Sequence, residues 1–327
     1  MLSRTASHLY WMARYVERAE NTARMLDVAG HNALLPTART NEERDWAAPL
    51  LITGRHDAYK AEGREINAAD VTAYMALDPE NPASIHACLY AARENARAVR
   101  STITSEMWEV VNTTWLGLRE FDSKVLKFRG SSAFLAWVKE RSHLFRGVTF
   151  GTMLHDEAFR FNRLGTYVER ADNLVRILDV DFNGLVQRTA DEATGDYYQW
   201  TALLRSVSAL EAYRKVYRHQ IVPDRIAQLL LLDRHLPRSL MYCVAEVYQA
   251  LQSVLGSADA APLRSVMGLY ARLDNAVMDD LMTADRTLQL QPLLARVSDV
   301  AAQIDATLFA PRLAGTPAPA GLLRGAA

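Results

Sequence analysis

The stretch at positions 15–28 reads YVERAENTARMLDV, and positions 167–180 read YVERADNLVRILDV. The two are identical at 10 of 14 places at an offset of 152, so the chain carries an internal repeat. At about 100° per residue, Met12, Val16, Ala19, Ala23 and Leu26 share an apolar face, while Glu17, Asn21 and Arg24 form a polar stripe across from it. The repeated stretch is therefore helical. Working outward, Trp46 and Leu50 map onto Trp200 and Leu204 at offset 154. Asp78, Pro82, Ser84 and Cys88 map onto Asp233, Pro237, Ser239 and Cys243 at offset 155. Apolar spacings of three and four recur along the chain, and sustained strand alternation is absent. The expected fold is all-α, with two tandem, pseudo-symmetric helical-bundle repeats of about 155 residues, 1–152 and 153–309. Residues 310–327, rich in proline, glycine and alanine, are expected to form a flexible tail.

The periodicity predicts helices over 4–29, 43–52, 69–77, 83–102, 106–128 and 133–153, then over 157–187, 196–219, 224–232, 238–255, 262–282 and 287–309. Ser105 and Ser132 stand as expected N-caps. Pro82, Pro223 and Pro262 stand at or before helix starts, where a missing N–H costs nothing. His155-Asp156-Glu157 reads as a helix start with acids at the positive dipole end.

Composition narrows the function classes. Half of the 327 residues are hydrophobic and the formal net charge is -1, which suits a globular protein and argues against a nucleic-acid coat. No apolar run approaches a membrane span, so no membrane crossing is expected. Arg14, Glu17, Arg18 and Glu20 lie where a secretory signal would carry its apolar core, so the expected location is cytoplasmic. Cys88 and Cys243 occupy equivalent apolar positions and read as core thiols. Neither a P-loop nor a dinucleotide fingerprint occurs, and Glu140 with His143 is the single Glu-x-x-His pair, so neither a cofactor nor a metal site is expected.

The candidate site residues come from two places. Solvated positions drift after duplication, yet Glu17/Glu169, Arg18/Arg170, Asn21/Asn173, Arg24/Arg176 and Asp27/Asp179 all match. Either a buried, mutually satisfied polar network or a ligand site in each half accounts for this. Glu17 and Glu169 are then the acid/base candidates, and Arg18, Asn21, Arg24, Arg170, Asn173 and Arg176 the binding candidates. The second place is the run 91–100, AARENARAVR, which sets Arg93, Arg97 and Arg100 on one side of a helix beside Asn95. The second half keeps no arginine at the matching Tyr248, Gln252 and Leu255, so the run reads as a single anion-seeking surface.

Three stretches carry a resemblance: MLSRTASHLYWMARYVERAENTARMLDV at the start, NPASIHACLYAARENARAVRSTITSEMWEVVN in the middle, and GTMLHDEAFRFNRLGTYVERADNLVRILDV in the second half. The chain resembles the bacterial alpha-E family over residues 1 to about 309. It departs from the family pattern at Thr166, where an arginine is usual after the glycine, and at Phe159, where tryptophan is usual. The resemblance implies an all-helical domain encoded beside, or fused to, a circularly permuted ATP-grasp protein. Transglutaminase-like peptidases, and sometimes a proteasome-like peptidase, are the implied company. The implied setting is ATP-dependent peptide or amide-bond synthesis or modification on a small peptide or amino-acid substrate. Within it this chain serves as helical partner, as an enzyme acting on the ligase product, or as a structural scaffold.

Overall fold

A computed structural model describes residues 1–33, 42–122, 130–186, 196–218, 220–256 and 259–310. The first half holds α1 (Ser3–Asn32), α2 (Glu42–Ile52), α3 (His56–Ala61), α4 (Ala68–Ala76), α5 (Ile85–Ala98), α6 (Ser105–Leu118) and α7 (Ser132–Thr152). The second holds α8 (Glu157–Ile177), α9 (Asn183–Val186), α10 (Asp196–Ser206), α11 (Leu210–Tyr217) and α12 (Pro223–Leu232). It continues through α13 (Leu240–Leu255), α14 (Ala261–Asp274), α15 (Met278–Leu281) and α16 (Gln291–Ile304). π-helical turns at Leu178–Phe182 and Asp305–Phe309 extend α8 and α16. The fold is all-α; among the described residues the sole strand-like contact is an isolated bridge between Met282 and Leu288. Among them, too, no helix is long and apolar enough to cross a membrane.

Two closed rings of four helices organise the chain. In one, α1 packs on α5, α5 on α6, α6 on α7, and α7 returns to α1. In the other, α8 packs on α13, α13 on α14, α14 on α16, and α16 returns to α8. α1 and α8 also pack along each other, so each belongs to its own ring and to the seam between them. α1 therefore has no solvent face to spare: Arg14, Glu17, Glu20, Asn21 and Thr22 are buried with its apolar residues. One apolar cluster draws on residues from Ala6 to Leu308 and so crosses both halves, while a smaller one is confined to the first.

The turns show why the landmarks fall where they do. Ser84 accepts from Ala87 N–H at 3.0 Å and donates to the Asp78 carbonyl, capping α5. Ser239 makes the same two bonds, to Tyr242 N–H and the Asp233 carbonyl, at the start of α13. These caps start the helices at Ile85 and Leu240 rather than at the expected 83 and 238. α6 is capped by Thr104, whose side chain accepts from Met107 N–H, and not by Ser105; Ser131, one residue before Ser132, precedes α7. Asp156 caps α8 by accepting from Ala158 and Phe159 N–H.

Several expected helices are broken. The one expected over 196–219 divides at Ser208, whose φ is 52°, and the short α3 follows Gly54, at φ 66°. In both turns a backbone amide reaches a carbonyl five residues back, Arg55 to Leu50 and Ala209 to Leu204, each at 2.7 Å. Such a left-handed turn closes one helix and opens the next. The helix expected over 262–282 ends at Asp274, and the one over 287–309 begins at Gln291. Positions 123–128, 187 and 219 of the expected helices, and the tail from residue 311 on, lie outside the described residues.

Candidate functional site

α1 and α8 lie side by side in the same direction. A side chain grown on Gly165 would meet the Tyr10 carbonyl oxygen at 2.1 Å and the Ala13 Cβ at 3.2 Å. One turn on, Glu17 meets Arg170, and at the far end Val28 and Val180 line one cavity. Only a residue without Cβ allows the backbones this close. The close approach brings the two Glu-Arg pairs within reach, and they exchange partners: Glu17 takes Arg170 and Glu169 takes Arg18.

At one pole Glu17, 1% exposed, accepts from Arg170 Nε at 2.8 Å and Nη2 at 2.9 Å in a bidentate grip. Arg146 Nη1 adds a bond at 3.0 Å and Arg238 Nη1 one at 3.3 Å. Glu20, fully buried beside it, accepts from Arg24 Nε at 2.8 Å, Arg238 Nη2 at 2.6 Å, Ser142 Oγ at 2.7 Å and Arg146 Nη1. His143 Nε2 lies 3.5 Å from Glu20 Oε1 and 3.2 Å from Arg24 Nη2. At the other pole Glu169 accepts from Arg14 Nε at 2.7 Å and from Arg18 Nε and Nη2 at 2.6 and 3.0 Å.

Burial alone would raise these carboxyls. Arg170, then Arg238 and Arg146, hold Glu17 below its ordinary value instead. Arg18 and Arg14 do the same for Glu169, and Arg238, a hydrogen bond from His143, Arg146 and Arg24 hold Glu20 well below. Six arginines thus face three carboxylates. The surplus is felt at Arg238, whose guanidinium is pushed down to about 10 by burial and then by the like charge of Arg170.

The other candidates have separate places. Asn21 is buried; its Oδ1 takes a long bond of 3.4 Å from Arg238 and its Nδ2 finds no partner. Asn173 is half-buried. Arg176 pairs with Asp172 one turn earlier, as Arg24 pairs with Glu20, and the Asp27 carboxylate receives Lys139 at 2.8 Å. Asn95 joins α5 to α1, its Oδ1 lying 2.8 Å from His8 Nδ1. Arg93 bonds Asn112 and Glu94, Arg97 bonds Glu94, and Arg100 lies over the Trp108 ring at 5.3 Å. The run 91–100 is thus tied to α6 at Arg93 and open at Arg97, whose side chain is 65% exposed. Glu94 stands between two of its arginines, which weakens the positive field expected there. The two cysteines are buried and free, and burial pushes both thiols up to about 12.

Two cavities lie beside α1. One of about 360 Å³ takes matching positions from both halves, among them Val28 with Val180, Ala29 with Asp181 and Ile52 with Ser206. Burial pushes the half-buried Asp181 carboxyl there up to about 7 against the lowering pull of Arg44, with Asp45 adding to the rise. A larger cavity of about 700 Å³ opens between α1, α7, α10 and the start of α11, with Arg24 in its wall.

Four residues of the network escaped the reading of the sequence: Arg14, Glu20, Arg146 and Arg238. Glu20 carried a signal, because the repeat keeps an acid there as Asp172. The repeat by itself gave no signal for Arg14 or Arg238, since the second half has Thr166 for the first and the first half has Ala83 for the second. Arg146 comes from α7, brought in by packing alone.

Comparison with known proteins agrees with this architecture. Residues 1–309 match the Alpha-E family, described as "a predicted alpha-helical domain with a conserved ER motif", and the chain belongs to that family. It is 25% identical over 332 aligned residues to an uncharacterized protein of Mycobacterium bovis and 24% identical to one of Mycobacterium tuberculosis H37Rv. Each alignment covers 94% of this chain and 37% of the relative, so the chain spans little more than a third of those proteins. No solved structure matches it.

Proposed function

We propose that this Alpha-E chain is a helical partner of a circularly permuted ATP-grasp ligase in ATP-dependent peptide or amide-bond synthesis or modification. In this reading it supplies a surface that binds the substrate or its carrier. The observation that carries the proposal is the complete occupation of Glu17, Glu20 and Glu169 by guanidinium donors. A carboxylate held ionised and fully hydrogen-bonded cannot easily take up or release a proton near neutral pH, whereas a general acid or base works best with a pKa close to it. Acid/base chemistry at Glu17 or Glu169 is the weaker reading for that reason. The Glu-Arg motif serves as a rigid internal frame, and the exposed Arg97 and Arg100 remain for contact with a carboxylate or phosphate. The length of the mycobacterial relatives supports the partnership, because a unit similar to this chain is there joined to further polypeptide.

The test is reconstitution. The chain is co-purified with the ATP-grasp protein encoded nearest to it, and ATP turnover and amide formation are followed by mass spectrometry with and without it. Dependence of amide formation on this chain, weakened by Arg97→Ala, supports the proposal. Unchanged amide formation in its absence refutes the partnership.

A further inference from the structure

We propose that the cavity of about 700 Å³ between α1, α7, α10 and α11 binds the oxyanion of a small ligand, a phosphate monoester or a carboxylate, whose planar part lies along Tyr197 and Tyr198. The size suits a small-molecule site, for which about 300–1,000 Å³ is usual. Four cations, Arg24, Lys139, Arg205 and Arg214, line it against two acids, Asp27 and Glu211. Lys139 and Asp27 neutralise each other at 2.8 Å. Arg205 and Arg214 are exposed and find no carboxylate among the described residues, although both are long enough to hold one.

The wall behind Arg24 adds to this field. Arg24 gives its Nε and Nη2 to Glu20 and His143, which leaves Nη1 for the cavity. Glu20 does not cancel it, because Arg238 and Arg146 claim the same carboxylate. Among the described residues, Arg24, Arg146, Arg170 and Arg238 at that pole face only Glu17 and Glu20, two positive charges in excess. Charge buried in a low-dielectric wall is poorly screened, and its field escapes through the nearest opening. Of these four arginines, Arg24 lines the cavity and carries part of that field into it. The first turn of α11 adds amides with no helical carbonyl to bond, next to Ser208 in the lining. Tyr197 and Tyr198 are half-exposed, and their rings stand at 84° with centroids 5.8 Å apart, so the pair offers a planar group the face of one ring and the edge of the other.

This site is separate from the surface at Arg97 and Arg100, and its test needs no partner protein. Isothermal titration of the full chain at low ionic strength, with phenyl phosphate, inorganic phosphate and benzoate as probes, reads it directly. Saturable binding of at least one probe is expected. Arg205→Gln with Arg214→Gln should weaken it about tenfold or more without lowering the melting temperature, since both side chains are exposed. Tyr198→Ala should weaken phenyl phosphate more than inorganic phosphate. A control with the same change of net charge, Arg272→Gln with Arg296→Gln on exposed positions of α14 and α16, should leave binding intact. Tighter phenyl phosphate than benzoate assigns a phosphate ligand, and the reverse order a carboxylate. Failure of all three probes to bind, or an equal loss in the control pair, overturns the proposal.

Discussion

Replacing Glu17 with glutamine keeps the shape of the side chain and removes the charge on which three arginines converge. Arg238 and Arg146 keep Glu20 when Glu17 goes, but Arg170, its side chain 8% exposed, has no second carboxylate among the described residues and cannot turn to water. Removing one member of a buried pair typically costs about 3–5 kcal/mol, because the remaining charge stays desolvated. At roughly 2 °C per kcal/mol for a chain of this size, the melting temperature should fall by about 6–10 °C. Glu169→Gln is the internal comparison. It strands Arg14, 10% exposed, much as Glu17→Gln strands Arg170, while Arg18, 28% exposed, can lead its guanidinium into solvent, so a comparable loss is expected. Thermal unfolding of both variants, followed by circular dichroism at neutral pH, decides the matter. A loss below about 2 °C for both variants would refute the claim that each pole is held by its buried carboxylate.

Four further outcomes follow from the same geometry. Glu17, Glu20 and Glu169 lie below their ordinary value of 4.5, so their contribution is complete above that pH and is lost as pH falls through the lowered values. A melting curve taken against pH should therefore drop steeply in acid, and Glu17→Gln should flatten the drop. Asp181 is raised from 3.8 to about 7, so the unfolded chain ionises first and folding loses ground as pH rises between those values. Asp181→Asn should accordingly raise the melting temperature at pH 8 and leave it unchanged near pH 3.5. Gly165→Ala places a methyl against the Tyr10 carbonyl and should cost about 1–3 kcal/mol by forcing α1 and α8 apart, read as a lower unfolding midpoint in denaturant. Arg97→Ala, by contrast, should stay within about 0.5 kcal/mol of the parent chain, so any loss it causes in the reconstituted ligase assay reports contact rather than folding.

The sequence by itself determined the helical class and, through the repeat, singled out Glu17, Arg18, Glu169 and Arg170. Periodicity of three and four is a local property, and a motif written twice exposes positions under constraint without any structure. The correspondence of Ser84 with Ser239 was legible in the repeat, but their capping bonds, which move the helix starts from 83 and 238 to Ile85 and Leu240, came from the structure. Tertiary structure alone decided whether the polar stripe of α1 meets water or protein. An isolated helix with that pattern is a surface helix, and only the seam with α8, opened by Gly165, turns Glu17 inward onto Arg170. It also recruited Arg146 and Arg238, which lie 129 and 221 residues from Glu17 and left no trace in the repeat. Spacing along the chain cannot reveal such partners, because a buried charge is neutralised by whatever packing brings within about 3 Å of it. The break at Ser208 belongs to the same class, for a left-handed turn at a serine is fixed by the helices it joins.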